Sequence, residues 1–300
     1  MKLKSKQIYP GDHALAKGIT RQLFTLHLNP FLRATLNRDW VSSIQIIYAE
    51  TVGFEGREYF LNTGSFQDMM PHIAQWLSLV LLDAPSPNNL TKETITERQV
   101  EALLQCEIVS AIRAQYSRGF IGVQGVPGFL EEAGYQYRTE TFFAVKVLSN
   151  AEKLFGVPIY LLSGKRASQQ KQTKVVIEYY PLSPLGSTKI VFDVVKNKVE
   201  IPFILKTPDA GFELESLSKD IDLEPSIDGH TRLLLDAMRG DLSLASSPDF
   251  GVATWQLITP IVEAWKQDTF TPIPQYEAGG QLPVEAHLMI QNDHREWALG

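Results

Sequence analysis

Three hundred residues, 44% of them hydrophobic and 21% charged, can bury a sizeable core and are too apolar for a disordered chain. A net charge of −6 with 28 Lys and Arg argues against a nucleic-acid binder, so an anionic ligand has to be met by a local cluster of cations. The only cysteine, Cys106, excludes an internal disulfide framework and a cysteine-rich metal site, and fits a reducing compartment.

The start, MKLKSKQIYP, is basic, but no apolar segment follows it. The longest apolar stretch, Trp76–Leu82, is far too short to cross a membrane, so a cytoplasmic protein without a membrane partner is expected. Neither an internal repeat nor a low-complexity linker divides the chain, which predicts one domain over 1–300. A helical pattern runs from about Ile19 to Leu36, and Val41–Tyr48 alternates as a strand with Ile44 and Ile46 on one face.

The stretch Phe66–Asp83 carries Ile73, Trp76, Leu77, Val80 and Leu81 at helical spacing. Pro71 suits a first helical position, which would set His72 in the first turn, where the positive end of the helix dipole keeps an imidazole neutral and usable as a general base. Asp68 would then lie just upstream, within reach of the same site. On this stretch alone the plainer reading, an ordinary polar residue at a helix start, stands ahead.

A breaker-rich loop, APSPNNLT, precedes what reads as one long amphipathic helix over Thr94–Arg118, with Cys106 inside it and Val100, Leu103, Leu104, Ile108 and Ile112 as its buried stripe. Gly119–Pro127 reads as a glycine-punctuated loop. From Thr139 to about Glu213 come short β-type runs: FFAVKVL, PIYLLSG, KVVIEYYP, KIVFDVV and VEIPFILK. Helices are expected at about Thr231–Arg239 and Val252–Gln267. The order predicts an α+β fold, a large mainly antiparallel sheet with helices packed on one face. Without crossover helices between the strands, a doubly wound parallel sheet is not expected.

GFIGVQGVPG, residues 119–128, places glycines at every third position, but a dinucleotide-binding loop follows a strand and opens a helix. Here the segment is expected to follow a helix, and it contains Pro127. His13, His27, His72, His230, His287 and His294 show no metal-ligand spacing, and no serine sits in a nucleophile-elbow context.

Several motifs occur in one order: NRDW (Asn37–Trp40), EGR-E-YF (Glu55–Phe60), the His72 helix, RTETFFA (Arg138–Ala144), FGVPIYLLSGK (Phe155–Lys165) and LLLDAMRGD (Leu233–Asp241). In that order and spacing they resemble glucose-6-phosphate dehydrogenase, and WQLITPIVEAW…PIPQYEAGG…PVEA (Trp255–Ala286) is similar to that family's C-terminus. The likeness runs from about Tyr9 to the end and covers only the family's C-terminal part. It implies oxidation of glucose 6-phosphate to the lactone with hydride transfer to NADP, and a dimer formed through the sheet. It further implies that the family's N-terminal Rossmann domain, which binds the coenzyme, lies outside this chain. The isolated chain is therefore expected to be inactive.

By the same resemblance, His72 matches the base that takes the proton from the sugar's C1 hydroxyl, and Asp12 its carboxylate partner. His13 and Lys17 match phosphate-binding residues; Glu50 and Lys165 match sugar contacts. Asp68 matches a sugar-contacting aspartate if a one-residue deletion falls after it; if the deletion falls before, Gln67 takes its place. The family's RIDHYLGKE reads YPGDHALAKGI here, so its arginine is Pro10, its phosphate-binding tyrosine is Ala14 and its glutamate is Gly18. A second basic contact expected shortly after Lys165 is Gln170, with Lys171 beside it, and the family's sugar-contacting glutamine has only Val195 nearby. Lys17 and Lys165 read equally as solvated lysines, and Glu50 as a strand-end carboxylate, taken one at a time. Three readings follow: the sugar-phosphate-binding and dimerisation part of a dehydrogenase whose coenzyme domain is supplied separately, a degenerate paralogue that regulates or assembles with a full-length enzyme, and a scaffold without ligand.

Overall fold

The structure, a computed structural model, describes residues 9–16, 18–181, 187–206, 214–222, 227–241 and 246–299, with side chains at all of these except 13, 14, 21, 87, 202–206, 214–220 and 222. In chain order the elements are α1 (His13–Ala16), α2 (Gly18–Leu28), α3 (Pro30–Thr35), β1 (Val41–Ala49), α4 (Phe60–Leu81), α5 (Lys92–Leu104), β2 (Cys106–Ser117), β3 (Gly119–Ile121), β4 (Gln124–Val126), α6 (Phe129–Ala133), β5 (Phe142–Ser149), β6 (Ile159–Gly164), β7 (Gln172–Tyr179), β8 (Lys189–Asp193), β9 (Lys198–Lys206), β10 (Leu214–Asp222), α7 (Gly229–Arg239), α8 (Pro248–Gln267), β11 (Gln275–Glu277) and α9 (Val284–Gln291).

Nine strands form one sheet in the order β10-β9-β8-β7-β1-β6-β5-β2-β11. Only β1–β6 and β2–β11 pair in parallel; the other pairs are antiparallel, so the fold is α+β with a large, mainly antiparallel sheet. β1 sits in the middle and is buried on both faces, its Ser42, Ser43 and Gln45 included. Its Ile44 and Ile46 join a core with α2, α4, α5 and α8, to which Trp76, Leu77, Phe143, Val175 and Ile258 contribute. Its Ile47 and Ala49 face a second core built on Phe60, Phe129, Tyr160, Ile290 and Trp297. The long helices thus lie on one face as expected, while the other face also carries the short α6 and α9 and the C-terminal segment.

Several expected elements differ. The helix expected over Thr94–Arg118 ends at Leu104, and Cys106, placed in that helix by its sequence, instead opens β2. Ile108 and Ile112 are four residues apart, a spacing that fits a helix face and, being even, a strand face as well. A β-bulge between Ile108 and Ser110 then reverses the alternation, so Ile108 packs into the first core and Ile112 into the second. β10 lies just past the expected end of the β-type runs, and β11, three residues long, is too short to stand out as an alternating run.

The helical pattern near the start also divides. Asn29 accepts from the backbone N–H groups of Phe31 and Leu32 and caps a fresh helix that begins at Pro30, so Ile19–Leu36 is α2 followed by α3.

Candidate functional site

Helix α4 carries Asp68 and His72, and it is not built as its sequence suggests. Its span, Phe60–Leu81, contains a break at Gly64, whose backbone stands at φ 64°, ψ −178°. A Cβ there would collide with the Glu140 carboxyl, so both the left-handed backbone and the space require glycine. Beyond the break, the Ser65 N–H donates to the Glu140 carbonyl at 3.0 Å and the Phe66 N–H to the Glu140 carboxyl at 3.0 Å. Glu140 thereby meets two of the donors that a helix start leaves open. It is buried, and burial pushes its carboxyl up to about 7 against the opposing pull of the Phe66 N–H and of Arg113.

His72 is therefore not in a first turn, and Asp68 is not upstream of the helix; both lie inside it. Pro71 is an interior residue with no N–H to give to the Gln67 carbonyl, not the first residue of the helix. The dipole argument for a neutral imidazole lapses, because that effect fades within the first turn.

A different device orients His72. Its Nδ1 lies 3.0 and 3.1 Å from the two carboxylate oxygens of Asp12, just ahead of α1. A carboxylate only accepts, so Nδ1 carries the proton and the lone pair of a neutral ring sits on Nε2. The His72 side chain keeps 30% of its surface exposed and that of Asp12 12%. Asp68 precedes His72 by one helical turn and shares its face of α4.

Glu50 and Lys165 also meet, in a pair buried where β1 and β6 end. Their backbones are tied by Glu50 N–H to Gly164 carbonyl (2.9 Å) and Ala167 N–H to Glu50 carbonyl (3.0 Å), and the Lys165 N–H reaches the Thr141 carbonyl (2.9 Å). The Tyr276 hydroxyl donates to the Lys165 carbonyl, and the Lys165 ammonium lies 5.7 Å from the centre of the Phe60 ring. Arg166 follows at φ 50°, its guanidinium 4.9 Å from the centre of the Tyr116 ring and 2.9 Å from Glu132. The strand end that presents Lys165 is thus pinned from both sides.

His13 opens α1, but its side chain lies outside the described residues, as does all of Lys17. Sequence reasoning does not single out three residues near the site or its helix: Gly64, Glu140 and Tyr48. Tyr48 stands near the end of β1, two residues before Glu50, which directly follows the strand.

A cavity of about 290 Å³ lined by Gln67, Arg113, Arg138 and Glu140 holds, of the predicted site residues, only Gln67, the alternative to Asp68. Its arginines are occupied at the end of α8: Arg113 donates to the Trp265 carbonyl (2.9 Å) and the Asp268 carboxylate (2.9 Å), and Arg138 reaches the Thr271 carbonyl at 2.5 Å. The glycine-rich segment 119–128 follows strand β2, not a helix, and folds as the hairpin β3–β4. The hairpin stands between β2 and the five-residue α6, where a dinucleotide fingerprint has a tight glycine turn that leads straight from strand to helix, so these residues do not fit a dinucleotide. Among the described residues no helix is long and apolar enough to cross a membrane.

A sequence profile described as glucose-6-phosphate dehydrogenase, C-terminal domain, matches residues 24–298. Glucose-6-phosphate 1-dehydrogenase of Gluconobacter oxydans (strain 621H) is 31% identical over 97% of this chain and 64% of its own length. The enzyme of that name from Buchnera aphidicola subsp. Acyrthosiphon pisum (strain APS) is 32% identical over 97% of this chain and 65% of its own. Among solved structures, a glucose-6-phosphate dehydrogenase in complex with its substrate glucose 6-phosphate superposes with a TM-score of 0.88 at 22% identity, over 99% of this chain and 64% of that one. Glucose-6-phosphate 1-dehydrogenase from Mycobacterium avium does so with a TM-score of 0.81 at 24% identity, over 99% and 65%. The chain thus spans a little under two thirds of the relatives it matches, and at these identities the two structures speak for the fold alone.

Proposed function

Since the chain belongs to the family of glucose-6-phosphate dehydrogenase C-terminal domains, we propose that it holds a sugar phosphate and supplies the general base of that family's reaction. Residues 1–300 act as one domain in this reading. The carrying observation is the Asp12–His72 contact, made across 60 positions of sequence at 3.0 Å. With Nδ1 held by Asp12, Nε2 accepts the proton of the C1 hydroxyl as that carbon gives up its hydride, and Asp12 stabilises the imidazolium that forms. Glu50, Asp68 and Lys165 contact the sugar hydroxyls, and His13 and Lys17 take the phosphate. No described segment of this chain fits the hydride acceptor, so NADP reduction requires a coenzyme-binding unit beyond these residues, and the isolated chain does not turn over.

Calorimetric titration of glucose 6-phosphate tests the reading. Saturable binding that is lost in His13→Ala and in Lys17→Ala supports it. No heat at millimolar sugar phosphate sinks it.

A second reading is favoured by Ala14 and Gln170, which stand where the family motif carries a tyrosine and a cation. It makes the chain a sugar-phosphate-binding regulator that assembles with a full-length dehydrogenase through the sheet. Size-exclusion of the chain alone and mixed with such an enzyme separates the two: a strictly homomeric species in the mixture removes the regulator reading.

A further inference from the structure

Among the described residues two helices carry a proline in their interior, Pro71 in α4 and Pro260 in α8. Each lacks the N–H that reaches back four residues, so the carbonyls of Gln67 and Gln256 lose their helical donor. In α8 the freed carbonyl stands on an outer face, where Gln256 and Pro260 are both exposed and solvent supplies the donor. In α4 it stands inside the candidate site.

From Ser65 to Leu81 that helix is buried except at Gln67, Asp68, Pro71 and His72, which form one partly open stripe. Asp68 and His72 thus flank the step from Gln67 to Pro71. The Cα–Cβ bond of a helical residue tilts toward the N-terminus, so His72 leans over the turn that holds the Gln67 carbonyl. Its Nδ1 is taken by Asp12, which leaves Nε2 to face a ligand on this stripe. Among the described residues no side chain, and no backbone group outside α4, donates to the Gln67 carbonyl. The Gln67 side chain lines the cavity beside Arg113 and Glu140, so it is the main chain at this position that belongs to the site.

We infer that the Gln67 carbonyl, freed by Pro71, is a further binding group, and that it accepts from the C2 hydroxyl of a hexose 6-phosphate. The inference rests on the sugar-phosphate reading above and extends it. An acceptor one turn from the base meets the neighbour of the hydroxyl that His72 deprotonates. Of the two ring neighbours of C1 in a pyranose only C2 carries a hydroxyl; the other is the ring oxygen. A carbonyl has lone pairs and no proton, so it takes a hydroxyl and gives nothing to a ring oxygen or a phosphate oxygen, which also accept. Because the helix fixes its direction, this acceptor loses no side-chain freedom on binding.

Pro71→Ala returns the N–H and closes the helical bond to Gln67. Wild type, Pro71→Ala and, as a control away from the site, Pro260→Ala are titrated with glucose 6-phosphate and with 2-deoxyglucose 6-phosphate. Pro71→Ala is expected to melt above wild type, since it restores a bond that an interior proline forfeits. It is nevertheless expected to weaken glucose 6-phosphate about tenfold, whereas a kink of structural use alone leaves affinity where it was. The 2-deoxy compound has no C2 hydroxyl to donate and is expected to bind wild type and Pro71→Ala alike. Pro260→Ala is expected to leave both titrations unchanged. If wild type binds glucose 6-phosphate and Pro71→Ala binds it equally well, or loses both ligands to the same extent, the inference is overturned while the sugar-phosphate reading stands. A wild-type protein that binds no glucose 6-phosphate overturns both.

Discussion

The two pairs at the site differ in how they are held. Glu50 and Lys165 are 8% and 2% exposed, and their strands lie side by side in the centre of the sheet. Asp12 and His72 meet on helical elements instead; α1 is four residues long and packs against α4, and His72 stays partly open to solvent. The sheet therefore fixes one half of the site as part of its own core, while the other half depends on one short N-terminal segment settling against α4. Chemistry follows the same division. In the proposed reading a buried ion pair forms a fixed wall for the ligand, while a base that must exchange a proton needs the exposure that His72 retains.

The largest effect that separates the halves is on stability. Lys165→Met leaves the Glu50 carboxylate buried without its cation and is expected to cost about 3 kcal/mol in urea unfolding. The double variant Glu50→Gln with Lys165→Met should recover most of that loss. If the single and double variants melt together, the pair is not the wall described above.

A comparable effect is expected from the helix break, as a function of pH. The Glu140 carboxyl is raised by burial to about 7 in the fold, against an unfolded value of 4.5. Its contribution is full below the unfolded value and is lost as pH rises through about 7, amounting to about 3 kcal/mol between pH 4.5 and the alkaline side. Glu140→Gln should flatten this slope. His27 runs the other way: burial first, with Lys153 adding, lowers it to about 4, so its contribution is full above 6.5 and lost as pH falls through about 4. The slope that remains in Glu140→Gln should therefore be the acid-side loss from His27, and its absence would contradict the buried neutral ring.

The smallest change is expected at the partly open pair. Asp12→Asn should shift stability by under about 1 kcal/mol, because the amide oxygen can still accept from Nδ1 of a neutral, partly exposed imidazole. A penalty as large as that of Lys165→Met would erase the contrast between the halves.

Much of this is legible in the sequence, for a physical reason. The strands β1, β5, β6, β7 and β8 alternate or run apolar within single uninterrupted segments, and the α4 stripe from Ile73 to Leu81 is a clean helical period. Partner choice for His72 is legible only through a family motif, since nothing local ties Asp12 to a residue 60 positions away. What fails is local inference where a tertiary contact decides. Pro71 looks like a helix start because the true start depends on Glu140, which is far away in the chain. Ile108 and Ile112 look like one face until a bulge separates them. Tyr48 escapes notice although it stands two residues before Glu50, because a tyrosine in a strand reads first as core.

The position of β1 also governs how the chain can assemble. Residues 41–49 lie between β6 and β7, whose residues run from 159 to 179, so the middle of the sheet cannot close until the ribosome has made more than half of the chain. Until then a strand meant for burial on both faces has nothing to pair with, and such non-local closure is slow and exposed to aggregation. N-terminal fragments ending before Ile159 should accordingly be insoluble. The half of the site that the sheet holds most firmly is also the half that forms last.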